Sequence, residues 1–292
     1  MPIRVLITGS TGNVGLETLQ ALNRLPQRKD LFLIAATQQP ERDRPLLAPL
    51  TDDLIRFDFT NPASTQRALE GVEKVLLIRP PQLADVKKFF DPLVRQMQQA
   101  GVRQVVFLSL QGVESNAYTP HHKIELILRE SGMAYTFLRP SFFMQNLSTT
   151  HRKEIQERNE IFVPAGNGRT AFIDVRDIAE VAALALATDD HLNQAYELTG
   201  SEALTYYEIA DMLTAVLGRK ITYKDPSILR FLWRKRIQEG VPLSFVMVMI
   251  ALYTVSKAGK ADTLTDVLPG LLGRPPILFR QFAEDMKKVW DR

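Results

Sequence analysis

The sequence predicts an α/β protein: a doubly wound parallel sheet of the Rossmann type, carrying a smaller, mostly helical C-terminal lobe for substrate. Three observations carry this. A glycine-rich turn, "TGSTGNVG", joins an aliphatic run to an amphipathic one within the first 22 residues; six strands, mostly alternating with helices, follow one another as far as Pro140; and the rhythm then changes. The boundaries read as 1–160 for the dinucleotide-type core, its sheet completed by strands after 160, and 161–292 for the lobe packed on it.

The first unit is the most informative. Ile3 to Ile7 is a buried-strand run, and Val14, Leu16, Leu19 and Leu22 recur at helical spacing. Between them Gly9, Gly12 and Gly15 are equally spaced. In a strand–turn–helix of this kind the first glycine permits the tight turn, the second lets backbone approach a pyrophosphate, and the third lets helix and strand pack closely. The helix N-terminus then turns its unpaired N–H groups toward the phosphates. The alternative is a turn with no ligand, because glycine also serves turns as such.

Further along, "LFLIAAT" (Leu31 to Thr37) is a second strand, followed by "QQPERDRP" as a polar loop. Asp53 to Phe59 is a third strand, and Asn61, Pro62 and Gly71 bracket a short helix. "EKVLLIRPP" is a fourth strand. Leu83 to Ala100 is helical by period, with Pro92 marking a kink or a break. Arg103 to Leu110, "PHHKIELILRESG" and Ala134 to Pro140 supply a strand, a helix and a strand. Phe142 to Asn159 reads as one long amphipathic helix, and the rest as a glycine turn, short strands and helices.

Composition narrows the class. The 292 residues are 45% apolar, enough for a sizeable core, and 36 Lys and Arg scattered among almost as many acids (33) leave a net charge of +3, a balance that does not suggest direct nucleic-acid binding. Cysteine is absent, excluding disulfides and a thiol nucleophile. "FVMVMIALY", Phe245 to Tyr253, is about half a bilayer span and reads as a core helix or pocket wall. With the first strand starting at once, the expectation is a cytoplasmic protein without membrane segments.

Read together, "TGSTGNVG", "FDF", "FLS", "HHKIE", "LRPSFFMQN", "FIDVRDIAEVAALAL", "YELTGSEALTYYEIADML" and the late "LLGRPP" resemble the NmrA-like branch of the atypical short-chain dehydrogenases/reductases. The ordered set spans nearly the whole chain. The resemblance implies NAD(P) binding, with two outcomes: an NAD(P)H-dependent reductase of a small apolar electrophile such as a quinone, or a non-catalytic redox sensor acting on a protein partner.

The resemblance assigns the phosphate end of the cofactor to Thr8, Gly9, Thr11, Gly12, Asn13, Val14 and Gly15. At the ribose end, Ala35, Ala36 and Thr37 offer no acid of the NAD type, and Gln38 stands where many relatives carry an arginine. Arg42 and Arg44 follow, and their charge favours NADP(H) over NAD(H); the alternative is solvated loop charge. Asp58 and Phe59 resemble an adenine-contacting pair, with Asp58 as a helix cap the other reading.

Ile78, Arg79, Pro80 and Ser109 resemble the nicotinamide-ribose lining. Arg79 is either a ligand-orienting cation or a surface charge.

The Tyr and Lys of alcohol-oxidising relatives, four apart on one helix face, are missing: Tyr118 is followed by His122. Lys123 aligns with the lysine that positions the ribose, so it is the one catalytic assignment. Tyr253 and Lys257 match the spacing but fall far from the Rossmann strands and are a decoy. His121 and His122 diverge on a helix, and no metal is expected. Pro140, Ser141, Phe142 and Phe143 resemble the segment that passes the nicotinamide and forms one wall of the substrate site, its aromatics alternatively being core residues; Phe143 and Asn146 are assigned to substrate, Asn146 tying that loop down. Asp174, Arg176 and Asp177 are read as structural. Trp233, Phe245, Met247 and Met249 are either pocket lining or core.

Overall fold

The architecture is that of a computed structural model in which residues 1–291 are described. Strand β1 (Ile3–Ile7) leads into helix α1 (Asn13–Arg24), β2 (Leu31–Thr37) into α2 (Pro40–Leu47), and β3 (Asp53–Arg56) into α3 (Pro62–Ala68). Next, β4 (Lys74–Ile78) leads into α4 (Val86–Gln99), β5 (Gln104–Leu108) into α5 (Pro120–Glu130), and β6 (Ala134–Pro140) closes the run. After it come β7 (Phe142–Phe143), α6 (Gln145–Ser148), α7 (Arg152–Arg158), β8 (Glu160–Phe162) and β9 (Thr170–Ile173). Then α8 (Val175–Ala187) and β10 (Gln194–Leu198) are followed by β11 (Ala203–Leu204), α9 (Tyr206–Leu217) and β12 (Thr222–Lys224). The last elements are α10 (Ile228–Trp233) with a π-helical turn at Arg234–Gln238, α11 (Leu243–Lys257), α12 (Val267–Leu272) and α13 (Phe279–Asp285).

Two compact units emerge. The first is residues 1–140 with 175–198, and the second is residues 141–174 with everything from 199. Relative to a cut at 160, residues 141–160 fall in the second unit, and the chain returns to the first for α8 and β10, the latter adding the seventh strand to the sheet. Among the described residues, no helix is long and apolar enough to cross a membrane.

In the first unit a seven-stranded sheet runs β10-β6-β5-β4-β1-β2-β3 with every pair parallel. Strand order reverses between β1 and β4, so the ends of those two strands form a topological switch point, where such sheets place ligands. Both faces are covered. Leu6, Ile34, Val75, Leu77, Phe107 and Phe137 join one side's core, and the alanine-rich α8 lies along α1. Near-continuous apolar strands are what burial on two faces requires.

Two local readings change. "QQPERDRP" is helical: Pro40 stands in the first turn with Glu41 and Asp43, which suits the positive end of a helix, and Pro45 is tolerated inside α2. The expected long helix from Phe142 is instead β7, α6 and α7. Ser148 Oγ and Thr149 Oγ1 both donate to the Gln145 carbonyl, at 3.1 and 2.8 Å, and these side-chain bonds compete with helix propagation. Pro92, by contrast, sits inside a continuous α4 capped by Asp85.

Buried polar groups fix the sheet's register. Lys74, buried mid-sheet on β4, donates to the Thr188 carbonyl (3.1 Å) and Asp189 (2.8 Å) beyond α8. On the other side, Glu125 of α5 accepts two bonds from Arg139 of β6 (3.1 and 2.7 Å) and one from Ser109 Oγ (2.6 Å), all three residues buried. Glu114 adds a second carboxylate at 2.8 Å from Arg139. Burial opposes the guanidinium charge, yet Glu125 and Glu114 hold its pKa above the ordinary arginine value.

The second unit has its own core around Phe172, Tyr206, Phe231, Tyr253, Phe279 and Trp290, with two small sheets, β11-β9-β7 and β12-β8. Trp290 Nε1 donates to the Leu147 carbonyl at 3.1 Å, pinning the C-terminal residues to α6.

Two outcomes follow from this packing. Gly15→Val drives a side chain into the Gly9 backbone and is expected to lower stability by about 1–3 kcal/mol in urea unfolding, while the same change at the open Gly132 is governed by its φ of +76° alone. Arg139→Met leaves Glu125 charged and buried, and is expected to cost about 3–5 kcal/mol by the same measurement.

Candidate functional site

The switch point is built from three residues that lock backbone to backbone. Thr8, fully buried, donates from Oγ1 to the Leu76 carbonyl (2.9 Å) and accepts from Ile78 N (2.8 Å), stitching β1 to β4. Ser10 does the same toward β2, donating to the Ile7 carbonyl (2.6 Å) and accepting from Ala36 N (3.1 Å). Gly9 takes φ +63°, and a Cβ there would meet Ile78 Cβ at 3.2 Å. Thr8 is therefore committed within the protein, and Ser10, unremarked in the sequence, shares its task.

Close packing explains the third glycine. A Cβ on Gly15 would sit 2.2 Å from the Gly9 carbonyl oxygen, so only glycine lets α1 begin where it does. Gly12 caps α1 without any side-chain hydrogen bond, no acid occupies the first turn, and Gly9, Thr11, Gly12 and Asn13 are exposed while Val14 and Gly15 are buried. An uncapped helix N-terminus with exposed glycine backbone fits a phosphate group.

At the end of β2, Thr37 Oγ1 donates to the buried Asp43, and Arg42 Nε donates to its other oxygen at 2.8 Å. The bonds from Arg42 and Thr37 hold the Asp43 carboxyl below its ordinary pKa. Arg42 is thus held through Nε with its side chain largely exposed, as is Gln38, whereas Arg44 pairs with Glu41 at 3.2 Å. After β3, Asp58 closes a turn by accepting from Thr60 N and Oγ1 (2.9 and 2.7 Å), while Asn61, not Asp58, caps α3. Phe59 packs edge-on to Phe57 at 4.9 Å.

Past β4, Ile78 and Pro80 flank an Arg79 that is neither a surface charge nor a free one. Its Nη1 donates to the carbonyls of Pro80, Pro81 and Leu83 at 3.0, 3.1 and 3.0 Å, and its Nε to His121 Nε2 at 3.4 Å. It braces the loop. Burial, aided by the nearby Arg79 charge, pushes His121 down to about 3, so it stays neutral and accepts. His122 instead bonds the Val113 carbonyl at 3.1 Å, and the two rings serve separate partners. Among the described residues there is no cluster of metal-ligating side chains.

Thr119 caps α5, which presents Lys123 exposed and without an ion pair among the described residues. Tyr118 is almost wholly exposed. Ser109 is less free than its strand-end position suggests, since its proton goes to Glu125. Pro140 pairs in register with Leu198 at the end of β6.

In the second unit, Phe142 and Phe143 form β7 against Phe172 and Ile173, both half-buried, and Ser141 Oγ is buried with no hydrogen-bond partner. Gln145 rather than Asn146 ties this segment down, donating from Nε2 to Asp174 at 2.8 Å. Trp233 and Met247 are exposed, whereas Met249 is core.

The Tyr253–Lys257 spacing has no dyad geometry. The Tyr253 hydroxyl meets His151 Nε2 at 2.6 Å, His151 Nδ1 meets Glu154 at 2.6 Å, and Glu154 meets the buried Lys235 at 2.9 Å. Burial raises the Tyr253 pKa; it also opposes charge on Glu154, which His151 and Lys235 nonetheless hold below its usual pKa. Lys257 points instead to Asp225 at 3.7 Å. The i, i+3 spacing of His151 and Glu154 was the only sequence signal for this chain of groups.

Comparison with known proteins agrees with this reading of the fold. The chain is 32% identical over 286 residues to the NAD(P)H azoreductase of Xenophilus azovorans, covering 96% of each. It superposes on the NADPH-dependent quinone oxidoreductase of Escherichia coli with a TM-score of 0.81 at 25% identity, covering 97% and 99% of the two chains. A negative transcriptional regulator solved with NAD shares the fold at 15% identity and a TM-score of 0.77, covering 99% and 96%. Residues 1–290 match the NmrA-like family, and the protein belongs to it.

Proposed function

We propose that this protein is an NAD(P)H-dependent reductase of a small, largely apolar electrophile such as a quinone. The observation that carries the proposal is the uncapped N-terminus of α1 at the switch point, with exposed Gly9 and Gly12 and no competing acid. That arrangement suits a dinucleotide pyrophosphate. The azoreductase and the quinone oxidoreductase support the reaction class.

On this reading the protein's part is binding and orientation. Thr11 and Asn13 would offer backbone N–H groups to the phosphates, the Gly12 N–H being bonded to the Gly9 carbonyl at 2.9 Å; Asp58 and Phe59 would flank the adenine. Lys123, with its ammonium free, would hold ribose hydroxyls. Arg42, steadied by Asp43, leaves its outer nitrogens for a 2′-phosphate, which favours NADPH over NADH. The cofactor, when bound, supplies the hydride. Phe143 and Asn146 are assigned to the acceptor. With Tyr118 exposed and His122 bonded to the Val113 carbonyl, neither is set as the proton donor, which suits an acceptor that takes its proton from water.

The direct test is titration with NADPH and NADH by nicotinamide fluorescence, followed by quinones and azo compounds while cofactor absorbance is recorded. Binding with turnover supports the reductase. Binding without turnover across the panel replaces it with a nucleotide-responsive regulator, and absence of binding rejects the glycine-turn assignment. Arg42→Ala is expected to weaken NADPH binding about tenfold and to leave NADH unchanged. Lys123→Ala is expected to lower kcat/KM by about tenfold or more with the unfolding midpoint unaltered, since Lys123 is exposed and unpaired.

A further inference from the structure

The second unit carries an apolar surface that its own core does not use. Between Leu243 and Ser256, α11 has no charged residue. Only one side is spent on the core: Val246, Met249, Ile250 and Tyr253 are buried, while Leu243, Met247, Val248, Leu252 and Val255 are exposed. A helix hydrophobic all round is ordinarily covered all round. Just before it, α10 and its π turn present a row spaced by four, Leu229, Trp233 and Ile237, exposed by 77%, 54% and 67%.

Charge indicates what covers this surface. Residues 220–260 hold eight basic and two acidic residues, a net +6, against +3 for the entire chain. Both acids are engaged within the protein, Asp225 by Lys257 (3.7 Å) and Glu239 by Lys235 (2.9 Å). Lys220, Lys224, Arg230, Arg236 and Lys260 are exposed and make no ion pair among the described residues. Two copies meeting through this face would set like charges against each other, so an anionic partner fits and a second copy does not.

We propose that α10, its π turn and α11 dock on an anionic lipid surface, the apolar row entering the headgroup boundary and the unpaired cations facing acidic headgroups. Trp233 has the amphipathic character favoured at that depth. At 15 residues α11 is too short to span the bilayer, so the protein lies on it.

The test uses the full chain with phosphatidylcholine vesicles, with and without phosphatidylserine, read by flotation and by tryptophan emission. Only two tryptophans exist and Trp290 is fully buried, so a blue shift reports Trp233. Binding should require the anionic lipid and weaken at high salt. Arg230→Glu with Arg236→Glu should lower partitioning by about tenfold or more, and Leu229→Ser with Ile237→Ser should lower it comparably without moving the unfolding midpoint. Three results overturn the proposal: no binding to phosphatidylserine vesicles, as an acidic protein partner would give; binding that the serine pair leaves intact; or a dimer in sedimentation velocity that the serine pair abolishes.

Discussion

The first unit is organised by how closely α1 approaches the turn that launches it. With a Cβ on Gly15 placed 2.2 Å from the Gly9 carbonyl, the helix starts at its position only because that atom is missing. Thr8 and Ser10 then fasten the same turn to the strands on either side, so β1 sits centrally with β4 and β2 as neighbours. The exposed amides at the head of α1 are a by-product of that packing. Where the sheet's strand order reverses, backbone rather than side chains therefore fills the turn, and the proposed pyrophosphate site rests on that.

Elsewhere, charge buried in the protein does the work of specification. Arg139, Glu125 and Ser109 join β6, α5 and the end of β5, and Lys74 joins β4 to the residues after α8. Each such group would be costly alone, and each is satisfied by partners distant in sequence. The second unit repeats the device with Tyr253, His151, Glu154 and Lys235, the last on a π-helical turn that brings its ammonium inward. Near the strand ends, the hydroxyls of Thr8 and Ser109 and the Nε and Nη1 of Arg79 likewise bond within the protein.

Legibility followed the range of the forces involved. The β1–turn–α1 unit could be read because the strand's apolar run, the glycine spacing and the helical period all act within twenty residues. The helix at Pro40 and the break of Phe142–Asn159 into β7, α6 and α7 depended on finer effects, the first-turn proline and acids in one case and the bonds of Ser148 and Thr149 to the backbone in the other. Arg79 is a similar case. A charge just after an apolar strand should be exposed or paired, and only the folded loop supplies the three carbonyls that receive it.

By itself the sequence determined the fold class, the succession of six strands along the first half of the chain, the glycine turn and the absence of a Tyr and Lys pair at α5, since each is a property of residue type and local spacing. Tertiary structure decided the return of α8 and β10 to the first unit, the division between committed and available polar groups, and the pairing of Arg42 rather than Arg44 with a buried carboxylate. Those outcomes depend on burial and on partners brought together from far along the chain, and neither is written in any short stretch of residues.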